Sequence, residues 1–229
     1  MPAETAPATA SRTPMGLLGG GFDFSNANED EFNDWYDTEH LAERLRIPGF
    51  VNGVRWIGAD NPKLSLAIYD LESLAVLQKS EYRAVSPENF SPWAKRMLLG
   101  KCTRVCRFNC EQMGSGDQVA PDAAGGLLVY AMNVVPEAEA EFNEWYDTEH
   151  LPRLAAVPGA MLARRFRSVA PGIAGAGAHK YVAVYHLATA DVCKSPAWKE
   201  AAMTPWTKKM LGQCRDVLAL RLTRYRRAG

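Results

Sequence analysis

Alternating apolar and polar residues mark short strands along the chain, and longer stretches between them carry helical periodicity. Residues 16–26, GLLGGGFDFSN, open apolar and alternate near their end. That predicts a first strand, in spite of glycines that weaken strand interiors. Ser25 or Asn26 is the expected cap of the following helix, with Glu29, Asp30 and Glu31 suited to its N-terminus. This helix is predicted to stop near Pro48-Gly49. FVNGVRWIGA (50–59) and KLSLAIYDLE (63–72) read as strands flanking an Asp60-Asn61-Pro62 turn. Residues 73–99 are helical in composition, with breaks at Ser86-Pro87 and Ser91-Pro92, and CTRVCRFNCEQM (102–113) reads as a fourth strand. After GSGDQVAPDAAGG (114–126), which has linker composition, the order recurs: LLVYAMNVV, a helix over 137–155, LARRFRSVA, KYVAVYHLA, a helix over 191–211 and VLALRLTRY.

The recurrence has a sequence basis. EFNDWYDTEHL (31–41) returns as EFNEWYDTEHL (141–151), differing only at Asp34 against Glu144. Pro48-Gly49 and Pro158-Gly159 follow, then Arg55-Trp56 and Arg165-Phe166 at the same distance. A repeat this long marks a duplicated unit. It divides the chain into a tail (1–15), a first repeat (16–113), a linker (114–124) and a second repeat (125–229). Each repeat has the β-α-β-β-α-β, ferredoxin-like order. One such sheet bears helices on one face and leaves the other bare. The expected fold class is therefore α+β, with two ferredoxin-like repeats packing sheet to sheet into an intramolecular α+β barrel.

Composition narrows the function. Hydrophobic residues at 47% and charged residues at 23% suit a globular protein. Lys plus Arg and Asp plus Glu both number 26, which argues against a nucleic-acid partner. Arg221, Arg224, Arg226 and Arg227 near the end read as a solvated strand end. The five cysteines (Cys102, Cys106, Cys110, Cys193, Cys214) include no CxxC pair, so no zinc spacing exists and they read as small buried hydrophobes. No apolar run suits a membrane span, and MPAETAPATASRTPM lacks the features of a signal peptide. The expectation is a cytoplasmic protein with a disordered tail. The glycine-rich insertion PGIAGAGA (171–178) matches no phosphate-loop pattern and reads as a loop that lengthens a hairpin.

Candidate chemistry sits on the repeated helix. At 100° per residue, Phe32, Trp35, Tyr36 and Glu39 share about a third of the circumference, with Asn33 and His40 at its edge. Asp37 and Thr38 face away, toward solvent. A glutamate among aromatics gains a raised pKa on burial unless it finds a donor, and histidine titrates nearby. Two readings compete: Glu39-His40 and Glu149-His150 exchange protons with a substrate that Arg55 or Arg165 holds, or Glu and Arg form a structural ion pair while His caps the helix. Trp35 and Trp145 suit the core better than a substrate platform.

The WYDTEHL motif, its Pro-Gly turn and its Arg-aromatic strand resemble the EthD-like branch of the dimeric α+β barrel superfamily. The matching residues are Asn33, Trp35, Tyr36, Glu39, His40, Pro48 and Gly49, and Asn143, Trp145, Tyr146, Glu149, His150, Pro158 and Gly159. The resemblance implies a barrel whose relatives act as cofactor-free monooxygenases, lactone isomerases, cyclases, decarboxylases or dehydratases, and in some branches as haem enzymes. Relatives usually pair two chains. Here both units lie in one chain, so a monomer with an internal pseudo-twofold and a homodimer are both open.

The halves differ where AIYDLE meets AVYHLA, which sets Asp70 opposite His186 beside Tyr69 and Tyr185. Alternation sets His186 against Tyr185 and Val184; if its face looks toward the helices, it meets Glu149 and His150 in one pocket. His179 is expected to be exposed. The second half is on this ground the better-equipped site. The expected function is a cofactor-independent lyase or isomerase on a small carbonyl-bearing or phenolic metabolite, with no metal. Its catalytic candidates are Glu149, His150, Tyr146, Glu39, His40 and Tyr36. Arg165, Arg55, His186, Trp145, Trp35, Asn143 and Asn33 are its substrate-binding candidates. The rivals are a cofactor-free or haem-binding oxidoreductase, with His150 or His40 as axial ligand, and a non-catalytic small-molecule-binding or assembly protein.

Overall fold

The computed structural model describes residues 13–169 and 179–227. Of the expected tail only residues 13–15 are described, and the insertion 171–178 lies outside the described residues. The first half runs β1 (Gly16–Asp23), α1 (Glu29–Trp35), a π-helical turn (Tyr36–His40), α2 (Leu41–Leu45), β2 (Val54–Gly58) and β3 (Leu64–Leu71). It continues through α3 (Ser80–Arg83), α4 (Pro92–Leu98) and β4 (Thr103–Gln112), with 3-10 turns before and after α3. The second half runs β5 (Gly126–Val134), α5 (Glu139–Trp145), a π-helical turn (Tyr146–His150) and α6 (Leu151–Ala155). It ends with β6 (Ala160–Ser168), β7 (Tyr181–Leu187), α7 (Pro196–Ala202), α8 (Pro205–Leu211) and β8 (Cys214–Arg224). The cap of α1 is Asn28, whose side chain accepts from the Glu31 amide, rather than Ser25 or Asn26. Among the described residues no helix is long and apolar enough to cross a membrane.

Among the described residues, eight strands close into one antiparallel barrel in the order β1-β3-β2-β8-β5-β7-β6-β4. This overturns the expectation of two ferredoxin-like repeats packed sheet to sheet. The halves meet edge to edge instead: β2 pairs with β8 at Trp56–Gly58, and β4 pairs with β6 at Cys110–Gln112. Stacked sheets would bury the bare faces but leave strand edges with unpaired backbone groups; closure satisfies both needs. The helices, each only a turn or two long, coat the outside.

Alternation sorts the core. Leu17, Trp56, Leu66, Ile68, Phe108, Val129, Phe166, Val184 and Leu222 fill the interior with Cys106 and Cys110. Outward-facing residues build one helix-covered cluster per half, around Phe32, Trp35, Tyr36 and Tyr69 and around Phe142, Trp145, Tyr146 and Tyr185. His186 shares the inward face with Val184, because residues two apart on a strand point the same way. It packs edge-on against Trp56, ring centroids 6.1 Å apart, on the opposite side of the strand wall from the helices. The pocket expected to join His186, Glu149 and His150 therefore does not form.

Also inside, Arg164 Nη1 donates to Asp70 Oδ1 and to the Gln118 carbonyl, both at 2.8 Å. Asp70 Oδ2 accepts from the Asn52 side chain (3.0 Å) and the Ala120 amide (2.7 Å). Both charged side chains are 1% exposed, and the pair links β3 to β6 across the lumen. His179, expected at an exposed edge, is buried, its Nε2 lying 2.8 Å from the Asp216 carbonyl.

Candidate functional site

In each copy of the repeated helix the fifth-residue hydrogen bond from the Leu41 amide to the Tyr36 carbonyl, or from Leu151 to Tyr146, opens a π turn. A π turn rotates each residue through less than an α-helical step, so i and i+4 align more closely than i and i+3. His40, not Glu39, thereby joins the aromatic stripe. Its ring packs at a tilt against Trp35, centroids 4.4 Å apart, and meets Tyr36 edge-on at 4.9 Å. His150 repeats the arrangement at 4.4 Å and 5.1 Å.

The glutamates are pulled aside. Glu39 Oε1 accepts from Trp35 Nε1 (3.1 Å) and from the hydroxyl of Ser91 (2.5 Å), the residue that caps α4. Glu149 accepts from Thr204, the cap of α8, at 2.6 Å. Neither lines the cavities described below. The arginines also find partners other than the expected glutamates. Arg55 donates to Asn33 Oδ1 (2.5 Å) and Asp37 Oδ1 (3.4 Å), and Arg165 to Asn143 Oδ1 (2.8 Å) and Asp147 Oδ1 (2.6 Å). Each guanidinium lies over the motif tyrosine, 4.5 Å from Tyr36 and 4.4 Å from Tyr146. Asp37, expected to face solvent, is thus half-buried in a tie between helix and strand, while Thr38 is exposed.

Around these shared parts the halves diverge. Aligning β1 with β5 through their matched registers sets Gly20 against Tyr130, and their strand partners Arg107 against Ala219. The same alignment sets Arg104 against Asp216, and the repeat sets Arg44 against Leu154. In the first half Gly20, Tyr36, His40, Arg44, Tyr69, Tyr82, Arg104 and Arg107 enclose a chamber of about 30 Å³. An outer cleft of about 470 Å³ shares Tyr82, Pro87, Arg104 and Arg107 with it. In the second half Tyr130, Trp145, Tyr146, His150, Trp198, Met203 and Thr207 line an apolar cavity of about 90 Å³. Sequence reasoning passed over Gly20, Arg44, Arg104 and Arg107. They stand where the copies differ, and comparing the unmatched positions would have found them.

Electrostatics follow the lining. Burial, reinforced by Arg44, Arg107 and Arg104, holds the His40 imidazole well below its ordinary pKa. Arg44 Nη1 approaches His40 Nδ1 at 3.1 Å; a guanidinium only donates, so Nδ1 accepts and the ring proton resides on Nε2. Arg44 is itself fixed by Glu43 (2.6 Å) and by the carbonyls of His40 (2.9 Å) and Val85 (3.1 Å). Burial lowers His150 to about 4, with Arg165 adding to the effect, but its Nδ1 faces the Thr207 hydroxyl at 3.4 Å. Burial raises Tyr36 and pushes Tyr69 well above its usual value, and does the same to Tyr146, at about 12, and Tyr185. Buried among apolar groups and near Arg164, His186 falls to about 3. Haem does not fit these residues. Both motif imidazoles pack against tryptophan at a tilt, His40 Nδ1 is taken, and the cavities beside them are small against a porphyrin.

No protein-family model matches the chain. No curated protein matches it either. Solved structures do resemble it. One is a candidate monooxygenase from Fusobacterium nucleatum subsp. nucleatum, with TM-score 0.63 and 9% identity over 93% of this chain and 94% of that one. An anthrone oxidase-like protein aligns with TM-score 0.60 and 12% identity over 94% and 93%. A mutant chlorite dismutase from Candidatus Nitrospira defluvii aligns with TM-score 0.57 and 11% identity over 94% and 93%. These neighbours are dimeric α+β barrel proteins, and the likeness is one of fold.

Proposed function

We propose that this protein is a cofactor-independent enzyme, an EthD-like barrel of the lyase or isomerase type, that binds a small carbonyl-bearing or phenolic compound as its oxyanion in the first-half chamber. The observation that carries the reading is His40, neutral, with Nδ1 occupied by Arg44 and the ring lining the chamber. Such an imidazole offers an N–H to a developing oxyanion instead of taking a proton. Positive charge from Arg104 and Arg107 favours the anionic substrate and so lowers its pKa. The chamber's volume of about 30 Å³ suits one oxygen-bearing group, with the body of the molecule in the outer cleft. An enolate or phenolate held this way is the shared intermediate of isomerisation, dehydration, decarboxylation and cyclisation.

A second reading, oxidation of the same anion by O₂, draws on the monooxygenase and anthrone oxidase-like descriptions of the neighbours. Oxygen consumption distinguishes it. The first test is an absorbance titration of 2-naphthol into the protein near neutral pH. The naphtholate band is expected with the wild type and lost in His40→Gln. Binding of 2-naphthol wholly as the neutral phenol sinks the reading.

A further inference from the structure

The chamber and the outer cleft share the side chains of Arg104 and Arg107 at their junction, and neither guanidinium has a carboxylate partner among the described residues. Arg107 donates to two neutral groups, the Tyr82 hydroxyl at 2.6 Å and Asn109 Oδ1 at 3.1 Å. Arg104 lies over the Phe22 ring, 5.2 Å from its centroid. Both are half-buried, and burial with the neighbouring Arg107 lowers the pKa of Arg104. Two adjacent cations partly withdrawn from water and without counter-charge are costly to hold, and a bound anion relieves that cost. Glu88 at the cleft's rim accepts from the Ser86 hydroxyl at 2.5 Å.

Resting on the oxyanion reading of the inner chamber, we infer that the substrate is an aromatic or enolic acid whose carboxylate sits next to its reactive oxygen, and that Arg104 and Arg107 hold that carboxylate. Charge balance selects the class. Arg44 is already neutralised by Glu43 at 2.6 Å, which leaves two free positive charges at the junction. One carboxylate and one oxyanion match them, whereas a phosphate dianion uses both and leaves the reacting oxygen uncompensated. The guanidinium fork suits a planar carboxylate. Leu74, Leu77 and the Tyr82 ring offer the apolar wall an aromatic body needs.

Calorimetric titration with 2-hydroxy-1-naphthoate, its methyl ester and 1-naphthyl phosphate tests this on the wild-type protein. The acid is expected to bind at least about tenfold more tightly than the ester, the scale of a charge-assisted contact. Arg104→Gln and Arg107→Gln are each expected to bring the acid down to the ester's affinity without altering the circular dichroism spectrum. Equal affinity for acid and ester, tighter binding of the phosphate, or no binding of the acid at millimolar concentration overturns the inference. Because the ester comparison needs neither a variant nor turnover, it fails separately from the oxyanion reading. Acid preference without naphtholate formation would keep the carboxylate site and discard the oxyanion reading, and naphtholate formation without acid preference would do the reverse.

Discussion

Gly20, Arg44, Arg104 and Arg107 surround the motif helix in the first half, where the second half has Tyr130, Leu154, Asp216 and Ala219. The helix itself is nearly the same in both. The Trp-Tyr ring contact, the guanidinium over the motif tyrosine and the Arg-Asn-Asp bonds recur in both halves, whereas Trp35 Nε1 donates to Glu39 and Trp145 Nε1 to Thr207. What the copies share therefore accounts for packing: two helices fastened to two strands by an Arg-Asn-Asp tie and a stripe of tilted and edge-on aromatic rings. What they do not share accounts for polarity. One pocket is a small cationic chamber beside a roomy cleft; the other is an apolar cavity of about 90 Å³.

The comparison breaks most sharply at Gly20. A Cβ built there meets nothing closer than the Phe22 ring at 3.6 Å, so a side chain is tolerated by the backbone and must fill the chamber. Gly20→Tyr is expected to abolish naphtholate binding in the first half while the melting temperature stays near wild type. If binding survives, the second-half cavity is the site. Next in size is the barrel interior, where Asp70 and His186 occupy matched positions. Asp70→Asn leaves Arg164 buried without counter-charge and is expected to cost about 3–5 kcal/mol in denaturant titration. A change within experimental error would mean that the pair is no anchor.

The motif histidines should then part company. His40→Gln is expected to lower turnover about 100-fold, the lower end of proton-transfer and donor effects, with His150→Gln leaving it unchanged. His150 contributes to acid stability, as the other buried histidines, His40 and His186, also do. Its folded pKa of about 4 lies below the unfolded value, so the unfolded chain takes up a proton first as pH falls. Its contribution is thus full above about pH 6.5 and declines toward about pH 4, and His150→Gln should make that limb shallower in melting curves against pH, with His40 and His186 carrying the remainder. The smallest effect is expected at the glutamates. Glu39→Gln and Glu149→Gln each weaken a helix-cap contact, worth about 1 kcal/mol, and leave ligand affinity alone. A large loss of affinity in Glu39→Gln would return the glutamate to the reacting group.

Strands were legible because alternation survives in a barrel as it does in an open sheet: Val182 and Val184 point in, Tyr181 and Tyr185 out. The helix that carries the motif was legible from the repeat. Closure was not, because an edge strand reads the same whether it ends in water or pairs with a distant partner. The π turn was invisible for a similar reason. Its residues have ordinary helical spacing in sequence, and only the Leu41-to-Tyr36 bond reveals that Glu39 has left the stripe and His40 has entered it. His186 was misplaced by taking its face for the opposite of Val184's. The arginines gave no signal in the repeat because Arg44, Arg104 and Arg107 stand at positions where the copies differ.

The two seams that close the barrel carry a further consequence for how the chain assembles. Each rests on a short paired stretch, Trp56–Gly58 with Leu222–Arg224 and Cys110–Gln112 with Phe166–Ser168, against the full-length registers within each half. The β2·β8 seam joins residues more than 150 positions apart, so its closure must wait until the last strand is made, and it carries the entropic penalty of a long loop. A nascent or partly melted molecule therefore exposes two open edges that a neighbouring copy can satisfy with the same residues. Concentrated refolding is a route to strand-exchanged dimers, in which each barrel is completed by another chain.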